Sequence, residues 1–151
     1  ERFSKPPLCR RIVNMSSMLG FVGVPNQSAY VSTKFAIRGF TESLWAELDG
    51  TGIAVTGIYP GTIQSDILQR ASFSDEREKA AMMKMMDRFG IPASDVARKT
   101  VNAIRRDRRE VIIGRDAIAL VALKRFLPGL GHRLIASGAR KAQEKIHAGE
   151  W

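Results

Sequence analysis

The chain has 151 residues, 44% of them hydrophobic and 26% charged, with a single cysteine and a net charge of +9. That is about one domain's worth of ordinary globular composition, which excludes a disordered tail, a collagen-like fibre and a coiled coil as the dominant state. The longest unbroken apolar run, Ala117–Leu123, has seven residues, far short of the roughly 20 that a membrane-spanning helix needs.

After a Pro6-Pro7 break, Arg11–Ser16 is expected as a short buried strand ending in small polar residues. Ser17–Asn26, holding Gly20, Gly23 and Pro25, is expected as a loop. Ser28–Asp49 predicts a long helix, because Phe35, Phe40, Leu44, Trp45 and Leu48 recur at three-to-five spacing as an apolar stripe. Gly50-Thr51-Gly52 ends it. Ile53–Tyr59 reads as a second strand, apolar with little alternation, as befits a strand covered on both faces, and Pro60-Gly61 stops it.

Thr62–Ile91 is a looser stretch with a helical patch of Met82, Met83, Met85 and Met86. A helix opening at Pro92–Ser94 and running to about Arg106 turns Val96, Thr100, Val101 and Ile104 inward. Glu110–Gly114 is a third short strand. The tail from Asp116 to His147 is helical in character, broken at Pro128-Gly129 and at Gly131. This alternation predicts an α/β fold with a doubly wound parallel sheet. Three strands are thin for such a sheet, so the chain reads as half of a domain.

Charge is unevenly spread: six Lys/Arg face five Asp/Glu in residues 1–69, and eighteen face ten in residues 70–151. A basic half suits nucleic acid, an anionic membrane surface or an acidic partner, but a solvated surface is the preferred reading. The run Arg105–Arg109 has no interleaved aromatics and sits where cations offset a helix dipole, so no nucleic acid is expected. Ala117–Ile135, with Lys124, Arg125 and Arg133, is expected to pack within the fold or an oligomer rather than lie on a membrane. His132 and His147 lack neighbours at ligand spacing, so no metal site is expected, and Cys9 reads as a passive thiol.

The chemistry concentrates around Tyr30 and Lys34, four apart at the start of the long helix and so on one face of it. Ser17 lies at the C-terminal end of the first strand and Pro60-Gly61 at that of the second, the edge where parallel sheets place ligands. A phenol titrates at about 10. Exchanging a proton with a carbonyl or alcohol oxygen near neutrality calls for a downward shift, which a neighbouring ammonium favours. The Ser17 hydroxyl could hold the substrate oxygen as charge develops on it.

Ile12-Val-Asn-Met-Ser-Ser17, Ser28-Ala-Tyr30-Val-Ser-Thr-Lys34-Phe-Ala-Ile-Arg-Gly-Phe40 and Tyr59-Pro60-Gly61-Thr-Ile-Gln-Ser65 together resemble the catalytic half of a short-chain dehydrogenase/reductase. The resemblance runs strongly from about Arg11 to Ile67 and weakly through Ala93–Gly114. It implies a Rossmann-like fold of which residues 1–114 are the catalytic half, the phosphate-binding half being absent, with 115–151 a helical tail. It implies NAD or NADP as cofactor and hydride transfer between a secondary alcohol and a carbonyl. Tyr30 would be the acid–base group, Lys34 would bind the nicotinamide ribose and lower the Tyr30 pKa, and Ser17 would polarise the carbonyl. Pro60, Gly61 and Ile63 would line the nicotinamide, with Ile63 backbone groups and the Ser65 hydroxyl toward its carboxamide.

The methionines fall where the family has a lid, so they suit an apolar substrate or, equally, pack as an ordinary helix stripe. No G-x-G-x-x-G occurs in the chain. It is therefore expected to be a piece of a longer cytoplasmic enzyme, inactive alone, that forms a homodimer or homotetramer when whole. The rival reading is a non-catalytic interaction module pairing through Phe40–Leu48 of the long helix.

Overall fold

The computed structural model describes residues 10–70 and 75–148, so Pro6-Pro7 and Cys9 lie outside the described residues. In chain order the elements are β1 (Arg11–Met15), a 3-10 turn (Met18–Gly20), α1 (Ser28–Glu47), β2 (Ala54–Pro60), β3 (Ile63–Gln64), α2 (Ile67–Arg70), α3 (Glu76–Phe89), β4 (Ile91–Pro92), α4 (Ala93–Arg105), β5 (Glu110–Ile113), α5 (Arg115–Phe126) and α6 (Pro128–Ala148). The architecture is α/β, with strands β1, β2 and β5 forming a parallel sheet in the order β1-β2-β5.

β2 is central, and Val55 to Pro60 are all buried, which is why its sequence shows no polar alternation. Successive side chains leave opposite faces of a strand. Ile58 packs with Val96 and Ala103 of α4 and Ile113 of β5. Tyr59 turns to the other face, where its ring meets Phe21 edge-on at 4.7 Å. Gly57 shares that face: a side chain there would run into the Tyr59 ring, so glycine makes room for the larger residue. Trp45 of α1 donates from its indole to the Val55 carbonyl at 3.2 Å and fixes the helix along this face. Gly50 and Gly52 close the α1–β2 turn with φ of 75° and 77°, conformations that glycine adopts without strain.

Arg11 pins the opposite end of the sheet. Its guanidinium donates to the Thr56 hydroxyl at 2.9 Å and pairs with Asp107. The same hydroxyl donates to the Arg108 carbonyl at 2.9 Å. Asp107 and the Arg108 carbonyl, inside the basic run at the end of α4, are thus tied to the sheet, while Arg105, Arg106, Arg108 and Arg109 are exposed.

Several expectations need correction. Pro60 is the last residue of β2 rather than a stop after it; it has no N–H to give, but β1 has already ended opposite Ile58. A second parallel pair, β3 with β4, lies inside the stretch expected to be loose, and two-residue strands are too short for any periodicity to reveal. On α4 Val101 is exposed and Ala103 is buried, because position 103 is two turns beyond Val96 and position 101 is not on that face. Gly131 does not break the tail: it is buried inside α6, and a side chain there would lie 3.3 Å from the Lys124 Cα, so glycine lets α6 cross α5 closely. Pro128 starts α6, at the position where a missing N–H costs nothing.

Candidate active site

The C-terminal edge of the sheet carries the predicted residues. β1 leads into the 3-10 turn, whose N-cap is Ser17: its Oγ accepts from Leu19 N at 3.2 Å and its carbonyl accepts from Gly20 N at 2.9 Å. Ser17 is buried at this edge. The preceding Ser16 donates from Oγ to the Lys34 carbonyl at 2.9 Å, so the serine turn is fastened to α1 at the residue of interest. Gly20 seals the contact, because an added Cβ would stand 2.8 Å from Ser16 Oγ and 2.9 Å from the Lys34 oxygen. Only glycine lets the turn come this close.

α1 begins at Ser28 after Asn26, whose φ of 61° is one that asparagine tolerates better than most residues. One turn separates Tyr30 from Lys34, and the Lys34 Nζ sits 5.4 Å from the centre of the Tyr30 ring. Tyr30 is 40% exposed, open to the rim, while Lys34 is half-buried. The structure thus brings together the 3-10 turn bearing Ser17 and the first turns of α1 bearing Tyr30 and Lys34.

The second tyrosine behaves differently. Burial, reinforced by the Glu110 carboxylate, pushes the Tyr59 hydroxyl up to about 12. Its hydroxyl lies beside Thr41 without a well-formed hydrogen bond. Tyr59 therefore stays protonated as a packing residue, whereas Tyr30 is open to the rim.

Beyond the strand end, Gly61 donates to the Ile113 carbonyl at 2.7 Å. Thr62 donates from its backbone to Asp116 Oδ2 at 2.8 Å, and a side chain at Gly61 would collide with that carboxylate. Pro60 is buried and Gly61 half-buried at this turn. The Ile63 side chain packs against the Ile58, Val96, Ala103 and Ile113 cluster, which leaves only its backbone to face the rim. Thr62 supplies the carbonyl that accepts from Ile91 N at 3.0 Å in the β3–β4 ladder. Alternate residues of a strand bond the same neighbour, so the Ile63 backbone groups are turned away from β4. Ser65 is exposed in the bend after β3.

Two charged residues of α5, Asp116 and Lys124, were not expected at this edge. Lys124 is half-buried and donates to the Phe21 carbonyl at 2.7 Å, with its ammonium 5.4 Å from the centre of the Phe35 ring. The one sequence signal was a lysine ending an otherwise apolar run from Ala117 to Leu123. For Asp116 it was an acid in the first turn of a helix, which usually reports only the dipole.

A family model for the short chain dehydrogenases matches residues 10–76. A protein called putative oxidoreductase SadH, from Mycobacterium tuberculosis, is 35% identical over 134 residues, which cover 86% of this chain and 49% of that protein. The fold is similar to a Burkholderia cenocepacia short chain dehydrogenase solved in complex with NADP, with a TM-score of 0.65 at 20% identity over 83% of this chain and 47% of that one. It is also similar to a Burkholderia phymatum short chain dehydrogenase/reductase in complex with NAD, with a TM-score of 0.63 at 23% identity over 76% of this chain and 46% of that one. The chain spans about half the length of the curated relatives it matches.

Proposed function

The chain belongs to the short-chain dehydrogenase family, and from that premise we propose that this edge is the catalytic half of an NAD- or NADP-dependent oxidoreductase interconverting a secondary alcohol and a carbonyl compound. The observation that carries the reading is the Lys34 ammonium 5.4 Å from the Tyr30 ring, on a helix turn to which Ser16 fastens the Ser17 turn. The premise favours this reading over a non-catalytic pairing module.

The residues present fit the nicotinamide end of such a cofactor. The Ser17, Tyr30 and Ser65 hydroxyls, the Lys34 ammonium and the Ile63 backbone all belong to segments at the C-terminal edge of parallel strands, where α/β sheets bind ligands. No G-x-G-x-x-G occurs in the chain, so the pyrophosphate is assigned to none of its residues. When bound, the nicotinamide supplies or accepts the hydride. The Tyr30 hydroxyl gives a proton to the carbonyl oxygen in reduction and takes it back in oxidation. Lys34 sets a positive charge 5.4 Å from the Tyr30 ring and would hold the ribose hydroxyls. Ser17 orients the carbonyl and stabilises charge on its oxygen. Pro60 and Gly61 shape the wall beside the ring.

Met82, Met83 and Met86 of α3 are half-buried, and Met85 and Phe89 are exposed; this adaptable apolar surface suits an apolar substrate. Phe40 of α1 is 60% exposed and suits pairing of two copies through that helix. In a protein that carries this chain joined to a pyrophosphate-binding half, replacing Tyr30 by Phe is expected to lower turnover by roughly two to four orders of magnitude with little change in dinucleotide binding. Retained turnover would refute the acid–base role. Titrating the 151-residue chain with dinucleotide addresses the rival reading, since micromolar binding excludes an inert module.

A further inference from the structure

We infer that α5 braces both loops of the proposed site from behind, with Asp116 and Lys124 as positioning residues. The inference rests on the catalytic reading for its consequence, but its geometry stands apart from that reading. Asp116 and Lys124 are eight residues apart on α5 (Arg115–Phe126), outside the 10–76 stretch that the family model matches. Each reaches a different loop. Asp116 accepts the Thr62 N–H at 2.8 Å, immediately after Pro60-Gly61. Lys124 donates to the Phe21 carbonyl at 2.7 Å, at the C-cap of the turn that Ser17 opens.

The Asp116 brace is built into three segments. Its carboxylate fills space that a side chain at Gly61 or at Gly114 would occupy, and Gly114 holds a φ of 116° that an ordinary residue resists. Gly61 in turn donates to the Ile113 carbonyl at 2.7 Å, so the β2 end, the β5 end and the start of α5 form one knot. A carboxylate accepting a backbone N–H makes a charge-assisted bond, stronger than a neutral one. It fixes the peptide that follows the proposed nicotinamide wall.

The Lys124 brace works at the other loop. A 3-10 turn of three residues leaves its last carbonyls without partners, and an ammonium satisfies one of them. The same ammonium stands over Phe35, the residue after Lys34, so one cation touches both the serine turn and α1. Ala117 and Val121 bury the inner stripe of α5 and hold the helix in place to do this. The two braces address different parts of the reaction. Asp116 acts on the turn beside the nicotinamide, and Lys124 acts on the serine that orients the substrate.

The test uses four variants, Asp116→Ala, Asp116→Asn, Lys124→Met and Lys124→Arg, made in a protein that carries this chain joined to a pyrophosphate-binding half, with backbone amide exchange and steady-state kinetics as readouts. In Asp116→Ala the Thr62 amide is expected to exchange on the order of tenfold faster. In Lys124→Met the Gly20 and Phe21 amides should do so, while amides in the middle of β2 and α1 keep their wild-type rates. Asp116→Asn, which keeps an acceptor oxygen, and Lys124→Arg, which keeps a donor, should restore most of the protection. Kinetically, Asp116→Ala should raise the KM for dinucleotide several-fold at nearly constant kcat, and Lys124→Met should lower kcat several-fold at constant dinucleotide KM. Unchanged exchange at these amides overturns the bracing, as does equal acceleration throughout the chain, which would mark a general loss of stability. Local acceleration without the kinetic split overturns the positioning roles. A protein carrying this chain joined to a pyrophosphate-binding half that is inert with dinucleotide and every carbonyl tried, while exchange shifts locally as expected, supports the bracing and places the failure in the catalytic reading.

Discussion

Adding one methyl group at Gly20 is expected to loosen the serine turn from α1. The backbone there needs no positive φ, so alanine is acceptable conformationally and the cost is purely one of contact. The new Cβ would stand 2.8 Å from Ser16 Oγ and 2.9 Å from the Lys34 carbonyl oxygen, the two atoms that hydrogen-bond each other at 2.9 Å. The Lys34 oxygen is backbone, and the Ser16 hydroxyl can turn aside only by giving up its bond to that oxygen. Overpacking of this kind costs about 1–3 kcal/mol, and loss of the Ser16–Lys34 bond costs about 1 kcal/mol more. Gly20→Ala should therefore destabilise by about 2–4 kcal/mol, which at this chain length is roughly 4–16 °C in Tm.

Gly39 is the internal control. It lies in the middle of α1, and an added Cβ there meets nothing within 4 Å. Gly39→Ala should stabilise by about 0.5–1 kcal/mol through helix propensity alone. Denaturant unfolding of the two variants beside wild type measures both. The same chemical change should move the midpoint in opposite directions. A Gly20→Ala midpoint equal to or above that of wild type would refute the claim that this close approach sets the distance between the Ser17 turn and α1.

Further outcomes follow from the buried polar groups. Tyr59 has a folded-state pKa of about 12 against 10.0 for the free side chain, so its contribution is whole below pH 10 and is lost as pH rises from 10 to 12. Denaturant midpoints should fall across that window in wild type and fall less in Tyr59→Phe, with tyrosinate absorbance tracking the same transition; identical pH profiles would contradict the assignment. Thr56→Val should cost about 1–3 kcal/mol, because it leaves the Arg11 guanidinium and the Arg108 carbonyl each short of a partner inside the sheet. Thr56→Ser keeps the hydroxyl and should recover most of that loss on the same unfolding curves.

Much of this molecule is legible from short-range pattern. The apolar run of β2, the helix α1 ended by Gly50-Thr51-Gly52, and Tyr30 one turn from Lys34 are all local consequences of period and turn chemistry, although Phe35 and Phe40 of the expected α1 stripe are exposed and Thr41 is the residue that α1 buries. They sufficed to indicate a parallel α/β sheet and to place Ser17, Tyr30 and Lys34 near one edge of it. Pattern alone marks Gly20 as a loop residue and Gly131 as a break, whereas both are sites of close approach. Which role a glycine plays depends on what lies across from it, and that partner is remote in sequence.

The same reason hid the braces. Asp116 meets Thr62 across 54 positions and Lys124 meets Phe21 across 103. Their sequence neighbours describe only an acid at a helix start and a lysine at the end of an apolar run. A charged side chain's partner is set by how elements pack, and no periodicity encodes it. Sequence alone indicated the main strands and helices and proposed which residues carry the chemistry; only the packing of α5 against the two loops decided what holds those segments in place.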